Sequence, residues 1–208
     1  MRAATVALVL ALPWATASAE PDGLPALLAA MGAQGEARTA FVERRGSGLL
    51  SEPLLLRGEL SRPDAGQLLR EVRDPYAESS LIDGERVVVT HADGGERRFS
   101  IRRAPALQAL RDGLLALLDG DAAALEAAFE VRMDTVDGRW RLQLSPRDAR
   151  VREDIQRLDA FGADGALRCV LTREADGGLA WLLVGEAAVD APDFEAECRL
   201  PLAERAAP

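Results

Sequence analysis

Leu54-Leu55-Leu56-Arg57-Gly58-Glu59-Leu60-Ser61-Arg62-Pro63 reads as a β-strand with two unlike faces. Side chains alternate across a strand, so Leu54, Leu56, Gly58, Leu60 and Arg62 share one face, and Leu55, Arg57, Glu59 and Ser61 the other. The first face is apolar and ends in a guanidinium; the second is mostly solvated. Arg62 at the margin of an oily sheet surface could close a lid or meet a ligand headgroup. It could also be an ordinary strand-end arginine whose stem lies on apolar surface while its head reaches water.

The alternation continues outward from this stretch. From Gly48 to Arg103 the period is two, and strands are expected at 49–61, 67–73, 78–82, 85–91 and 96–102. Asp83-Gly84 separates Leu81-Ile82 from Val87-Val88-Val89, and Asp93-Gly94-Gly95 follows. Such pairs tolerate the positive φ of tight hairpin turns, so the segment reads as an antiparallel meander. Val87, Val89 and His91 fall on one face of their strand. A second run of strands is expected at 129–136, 139–145, 153–161, 166–174 and 178–186. Its turns are marked by Asp137-Gly138, Asp164-Gly165 and Asp176-Gly177-Gly178.

Helical spacing appears in two places. Leu24, Leu27, Leu28 and Met31, continued by Ala37, Ala40 and Phe41, predict an amphipathic helix interrupted near Gly35. Between the two runs of strands, Pro105 opens a helix with a stripe of Leu107, Leu110, Leu114 and Leu117–Leu118. Asp119-Gly120-Asp121 breaks it, and Asp121 is placed to cap a further helix through Ala128. Past Asp190 the chain is expected to run over the surface, with a short strand within Phe194–Leu200. Strands joined by tight turns favour one large antiparallel sheet over any βαβ arrangement. The leucine stripe of 105–118 then has to bury against that sheet, as a plug or a lid. If the helices fill the concave space, it is only a core; if loosely, the leucines and valines line a cavity.

Composition narrows the function. Arg2 followed by the apolar run Ala3–Leu12 and the small-x-small Ala17-Ser18-Ala19 predicts an export signal over residues 1–19, cleaved after Ala19. Residues 20–208 are then expected to form one domain of an exported, soluble protein. Its net charge is about −10, because the 34 acidic residues remain while the 25 basic ones lose Arg2. That balance argues against nucleic acid, whose affinity comes largely from basic contacts to phosphate. Cys169 and Cys198 suggest one disulfide in an oxidising compartment, worth roughly 3 kcal/mol for the loop it closes. Reduced metal ligands are the other reading of the pair, but one histidine and no Cys-x-x-Cys make a poor zinc set. No nucleophile elbow and no phosphate-binding glycine loop is present, so neither an enzyme nor a cofactor or metal is expected.

Taken in order, Phe41, then Gly58-Glu59-Leu60-Ser61-Arg62-Pro63, Asp74-Pro75 and Leu81-Ile82-Asp83-Gly84 resemble the LolA family of periplasmic carriers of outer-membrane lipoproteins. Trp140–Pro146, Ile155–Phe161, Asp164-Gly165 and a final hairpin extend the resemblance over nearly all of the chain after the signal. It implies a mainly β, α+β fold: an incomplete, unclosed antiparallel β-barrel of about eleven strands with a helical lid over a hydrophobic cavity. It implies that Arg62 holds the lid closed and lets go when cargo enters. With it go a cavity and lid drawn from Leu54, Leu56, Leu60, Leu81, Val87, Val89, Leu107, Leu110, Leu114 and Leu117. It implies, too, a monomer that takes an acylated lipoprotein or lipid from an inner-membrane exporter and hands it to an outer-membrane acceptor. The alternative is a periplasmic lipid-binding sensor or accessory protein of a lipid or glycolipid export system. The chain departs from the family in having only nine aromatic residues, in Asp64-Ala65-Gly66-Gln67 after Arg62-Pro63, and in the tail around Cys198.

Overall fold

The computed structural model describes residues 23–34, 38–46, 52–64, 66–189 and 193–200. The export signal expected over 1–19 lies outside them. Helix α1 (Leu24–Gln34) is followed by β1 (Arg38–Gly46), β2 (Leu54–Ser61), β3 (Gln67–Asp74), β4 (Glu78–Asp83), β5 (Arg86–His91) and β6 (Glu96–Ser100). A single 3-10 turn, Ile101–Arg103, leads into α2 (Pro105–Asp119) and α3 (Ala122–Ala128). Then come β7 (Phe129–Val136), β8 (Arg139–Pro146), α4 (Ala149–Arg152), β9 (Ile155–Ala163), β10 (Ala166–Glu174) and β11 (Leu179–Val184). A second 3-10 turn, Gly185–Ala188, and α5 (Phe194–Glu197) complete the described chain.

The eleven strands among the described residues form one antiparallel sheet in the order β6-β5-β4-β3-β2-β1-β11-β10-β9-β8-β7. Each run of strands is a meander, and β1 pairs with β11 to join the two runs. The edges β6 and β7 are not hydrogen-bonded to each other, so the barrel is unclosed. Both edges carry charge, with Glu96, Arg97 and Arg98 on one and Glu130, Arg132 and Asp134 on the other, which discourages pairing with a second sheet. Residues 101–128 link these two edges across the inner face. The turns fall where Asp-Gly pairs stand, with Asp137 and Asp164 at φ 50° and the glycines after them at φ 73° and 77°.

The register sorts the leucines. Leu68, Ile82, Val87 and Phe99 lie opposite one another across β3 to β6 and, with Ile101, face inward against Leu107 and Leu114 of α2. The largest cluster fills the other half of the inner face. There Leu142, Leu144, Leu158 and Ala160 of the sheet pack under Leu27 and Leu28 of α1, Leu117 of α2 and Leu125 of α3. Gly162 lets this sheet bend closely over a buried indole: a Cβ there would lie 2.2 Å from Trp140 Cζ2. Fully buried leucines stabilise by about 1.5–3 kcal/mol each, so this half holds the helices in place.

Several expectations are corrected. Phe41 does not continue the first helix; Arg38–Gly46 is a strand, in which Phe41 stands opposite Gly58 on one side and Val184 on the other. A ladder satisfied on both flanks outweighs the helical spacing of Ala40 and Phe41; Ala37 lies outside the described residues. The strand expected at 49–61 begins at Leu54, with 49–51 outside the described residues. The strand expected at 153–161 runs over 155–163, because Asp148 caps the short α4 just before it, its side chain accepting from Arg150 N. The strands expected at 96–102 and 178–186 stop at Ser100 and Val184, where the two 3-10 turns begin. Within 194–200 the chain forms α5 rather than a strand, capped by Asp193, which accepts from Glu195 N and Ala196 N.

Candidate functional site: a cavity beneath the latched helix

A cavity of about 610 Å³ lies between the helices and one end of the sheet. Met31 of α1 and Leu114 and Leu118 of α2 form its helical wall. Leu60, Leu68 and Val184 form its sheet wall, and the β9–β10 hairpin closes one side with Ala163–Arg168. The rim is polar, with Arg38, Glu59, Arg62, Arg168 and Glu186 around it, and carries Val189, an apolar side chain left 62% exposed. Arg38 Nη1 donates to Glu59 at 2.8 Å, and Arg168 lies 3.7 Å from Glu186 and 3.5 Å from Glu197.

Arg62 follows the last residue of β2 and donates from Nη1 to Asp119 Oδ1. Asp119 is the last residue of α2, and Gly120 ends that helix at φ 71°, its N–H bonded to Ala116 O. A carboxylate at a helix C-terminus sits against the negative end of the helix dipole, and a guanidinium there offsets that penalty. The Arg62 side chain is 23% exposed and the Asp119 side chain 53% exposed. A pair this open to water is worth about 1 kcal/mol or less, so it can hold the helix and still be released.

Along β1 the inner face turns from the cavity to charge. Glu43 is buried and accepts from Arg45 and, at 2.5 Å, from Arg70, whose guanidinium stands 4.9 Å from the Phe41 ring centroid. Burial by itself lowers the Arg45 pKa, but the Glu43 charge and hydrogen bond, with Glu174 and Tyr76 adding, hold it above the ordinary arginine value. A smaller recess at the opposite end of α2 includes Arg102, Asp112, Arg147 and Asp148. Asp148 there is held below the ordinary carboxylate range by hydrogen bonds from the Arg150 side chain and backbone.

On the outer face Cys169 and Cys198 form a disulfide, with Cα atoms 5.3 Å apart. It pins α5 against the sheet, where Phe194 joins Val42, Phe161, Leu171 and Leu183 in a buried cluster. Arg44 lies between the rings of Trp181 and Phe194, at 4.3 and 4.6 Å.

With this architecture in view, the match to known families is direct. The family described as outer membrane lipoprotein carrier protein LolA-like matches residues 16–203. The chain belongs to this family. Among solved structures, the LolA-like chain is similar to a LolA superfamily protein from Nitrosomonas europaea. The identity is 12%, over 77% of this chain and 90% of that one, with a TM-score of 0.42. It is similar also to a putative outer membrane lipoprotein-sorting protein domain from Vibrio parahaemolyticus, at 12% identity over 83% and 96% of the two chains and a TM-score of 0.40. LprF from Mycobacterium bovis is 15% identical over 82% and 96%, with a TM-score of 0.35. At these scores the structures say nothing about what this LolA-like chain binds. No curated protein is similar enough to count as a match. Among the described residues no helix is long and apolar enough to cross a membrane.

The LolA-like cavity gathers only part of the residues read from the sequence. Leu60, Arg62 and Leu114 line it. Leu56 is buried beside it with Phe41, Leu60, Val72 and Val184, and Leu54 packs on that cluster. Val87 is buried, with Val89 and Leu107 packed against its cluster, and Leu110 and Leu117 belong to the large packed half. Leu81 points the other way: it stands opposite Leu69 and Val88, one position out of register with the inward row of Leu68, Ile82 and Val87. Asp119, Met31, Leu68 and Val184 are the site residues that sequence reasoning missed. Asp119 was signalled, because an acidic residue at the end of a helix asks for a cation nearby.

Proposed function

We propose that residues 20–208 form a single-domain periplasmic carrier, exported by a signal removed after Ala19. It shields the acyl part of a lipoprotein or lipid in the cavity while the cargo passes from an inner-membrane exporter to an outer-membrane acceptor. The chain acts as a monomer, needs no cofactor and carries out no covalent chemistry. The observation that carries this reading is that the cavity lies beneath a helix whose last residue is held by Arg62. Membership in the LolA-like carrier family supports it. Arg62 is then the latch: when an acyl chain enters beneath α2, the pair with Asp119 opens, and it reforms on release.

The test is Arg62→Leu beside wild type, with uptake and release of a fluorescent fatty acid followed by stopped-flow. The expected result is a several-fold change in release rate with an unchanged far-UV spectrum. Identical uptake and release in the two proteins would remove the latch from the mechanism.

A further inference from the structure

The two outer strands of the sheet, β6 and β7, each leave one backbone edge unpaired. In an antiparallel ladder the residues bonded to the neighbouring strand alternate with residues whose N–H and C=O point away from it. Ile101 N–H donates to Glu85 O at 2.9 Å, and His91 N–H donates to Gly95 O at 3.0 Å. That parity makes Arg97 and Phe99 the β6 residues whose backbone is bonded to β5. The backbone groups of Glu96, Arg98 and Ser100 therefore face outward, and among the described residues they have no backbone partner.

The charges on the two edges differ in whether they are already met. On β7, Glu130 pairs with Arg132 at 3.4 Å and Asp134 with Arg141 at 2.6 Å. Around β6, residues 86–103 carry five arginines against two acidic residues, in a chain whose formal net charge is −9. Arg98 pairs with Glu96, and Arg102 with Glu85 at 3.3 Å. Arg86, Arg97 and Arg103 are exposed and, among the described residues, make no ion pair; Arg97 lies over the Phe99 ring, 5.3 Å from its centroid. Arg98 shares the outer face with Arg86, which stands opposite Ser100, while Phe99 faces inward beside the Val87 cluster. Like charges facing each other across a ladder repel and opposite charges attract, so an edge that turns away a basic strand admits an acidic one.

We propose that β6 is a docking edge for an extended, acidic segment of a partner protein, which adds to the sheet as a further strand. Its backbone pairs with Glu96, Arg98 and Ser100, in the manner of strands that bind by joining an exposed sheet edge. Alternate carboxylates lie on the outer face beside Arg98 and Arg86, and the apolar side chains between them lie inward beside Phe99. A layer of anionic lipid headgroups would meet the arginines but presents no alternating row of donors and acceptors to match the edge. A peptide strand meets both. None of the β6 residues lines the cavity, so this docking does not depend on what the cavity holds.

A short fluorescein-labelled peptide alternating glutamate with valine is titrated into the full chain by anisotropy, beside its glutamine–valine and lysine–valine counterparts. The glutamate peptide should bind roughly tenfold more tightly than the glutamine peptide and lose affinity as salt rises. Hydrogen exchange followed by NMR on the wild-type complex should show the amides of Glu96, Arg98 and Ser100 newly protected, with those of Arg97 and Phe99 protected as before. Arg98→Gln should weaken the peptide about threefold, and Arg98→Pro, which also removes an edge N–H, roughly tenfold further. The wild-type exchange decides the matter if the proline variant fails to fold. Equal binding of the three peptides, or bound peptide without protection at Glu96, Arg98 and Ser100, would overturn strand addition. Uptake of the protein by phosphatidylglycerol vesicles while the peptide fails to bind would overturn it too and give the arginines to a membrane. A mass that rises with protein concentration and falls back in Arg98→Pro would give the edge to a second copy instead. Failure of the peptide with fatty-acid uptake intact would remove the docking edge and leave the carrier standing.

Discussion

Along one flank of α2, Gly113, Ala116 and Leu117 are packed against Phe129, Leu158 and α1; along the other, Leu114 and Leu118 border an open cavity. The helix is the same, and both flanks carry leucine. What differs is whether the opposing strand places a large side chain within reach. Over β7 to β9 the row Met133, Leu142, Ala160 and its neighbour Val131, Leu144, Leu158 fill the space. Near the end of β2 and the start of β1, where Thr39 stands opposite Leu60, it is left empty. A lid of this kind is fastened on one flank by packing and on the other by the exposed Arg62–Asp119 pair together with Arg111, which donates from Nη1 to Gly84 O.

The packed flank should respond most strongly to substitution. Phe129→Ala should cost about 3–5 kcal/mol in urea unfolding, because its ring closes against the Cα of Gly113 and has no solvent to retreat to. A loss below 1 kcal/mol would mean that the packed flank is no tighter than the open one. Next comes the clamp on the outer face. Replacing both Cys169 and Cys198 by serine should lower stability by roughly 3 kcal/mol, read as a fall in Tm, for a bridge spanning a sequence separation of 29. Fatty-acid affinity should change little as long as Glu197, beside the bridge, still holds Arg168 at the cavity rim.

Smaller effects sharpen the cavity side. Glu43→Gln leaves Arg70 and Arg45 without their carboxylate and should cost about 1–3 kcal/mol by thermal melting. Leu118→Ala, by contrast, removes a side chain that borders empty space, and urea unfolding should register about 1 kcal/mol or less. Last is Asp119→Asn, which keeps the shape of the latch and removes its charge. Stability should move by less than about 1 kcal/mol while fatty-acid release quickens and loses its salt dependence.

How much of this was legible follows from how local each determinant is. The meanders could be read because Asp83-Gly84, Asp137-Gly138 and Asp164-Gly165 set their own turns and the two-residue period sets the strands between them. β1 was hidden because Ala40 and Phe41 also fit helical spacing from Met31; only β2 and β11 on either side decide for a strand. Helix α5 was hidden because four residues have no period, and its cap and disulfide are contacts rather than patterns. For the cavity, the sequence offered a pool of leucines without a means of sorting them. Leu81 and Ile82 are neighbours and equally apolar, and a register set by the partners of β4 turns one inward and the other out. Leu117 and Leu118 divide in the same way between core and cavity by the rotation of α2.

The segment that joins β6 to β7 has one more consequence. Its two ends are fixed: Ile101 N–H donates to Glu85 O at 2.9 Å and its side chain is buried, while Leu125 of α3 is buried under the largest cluster. Between them, Ala104 and Gly120 are the points where the backbone leaves the helical region. A rod pivoted at both ends cannot swing outward like a door on one hinge. It can turn about its own long axis, as an axle does in its bearings, lowering Leu114 and Leu118 toward the sheet or raising them from it. On that geometry the Arg62–Asp119 pair governs an angle rather than a gap.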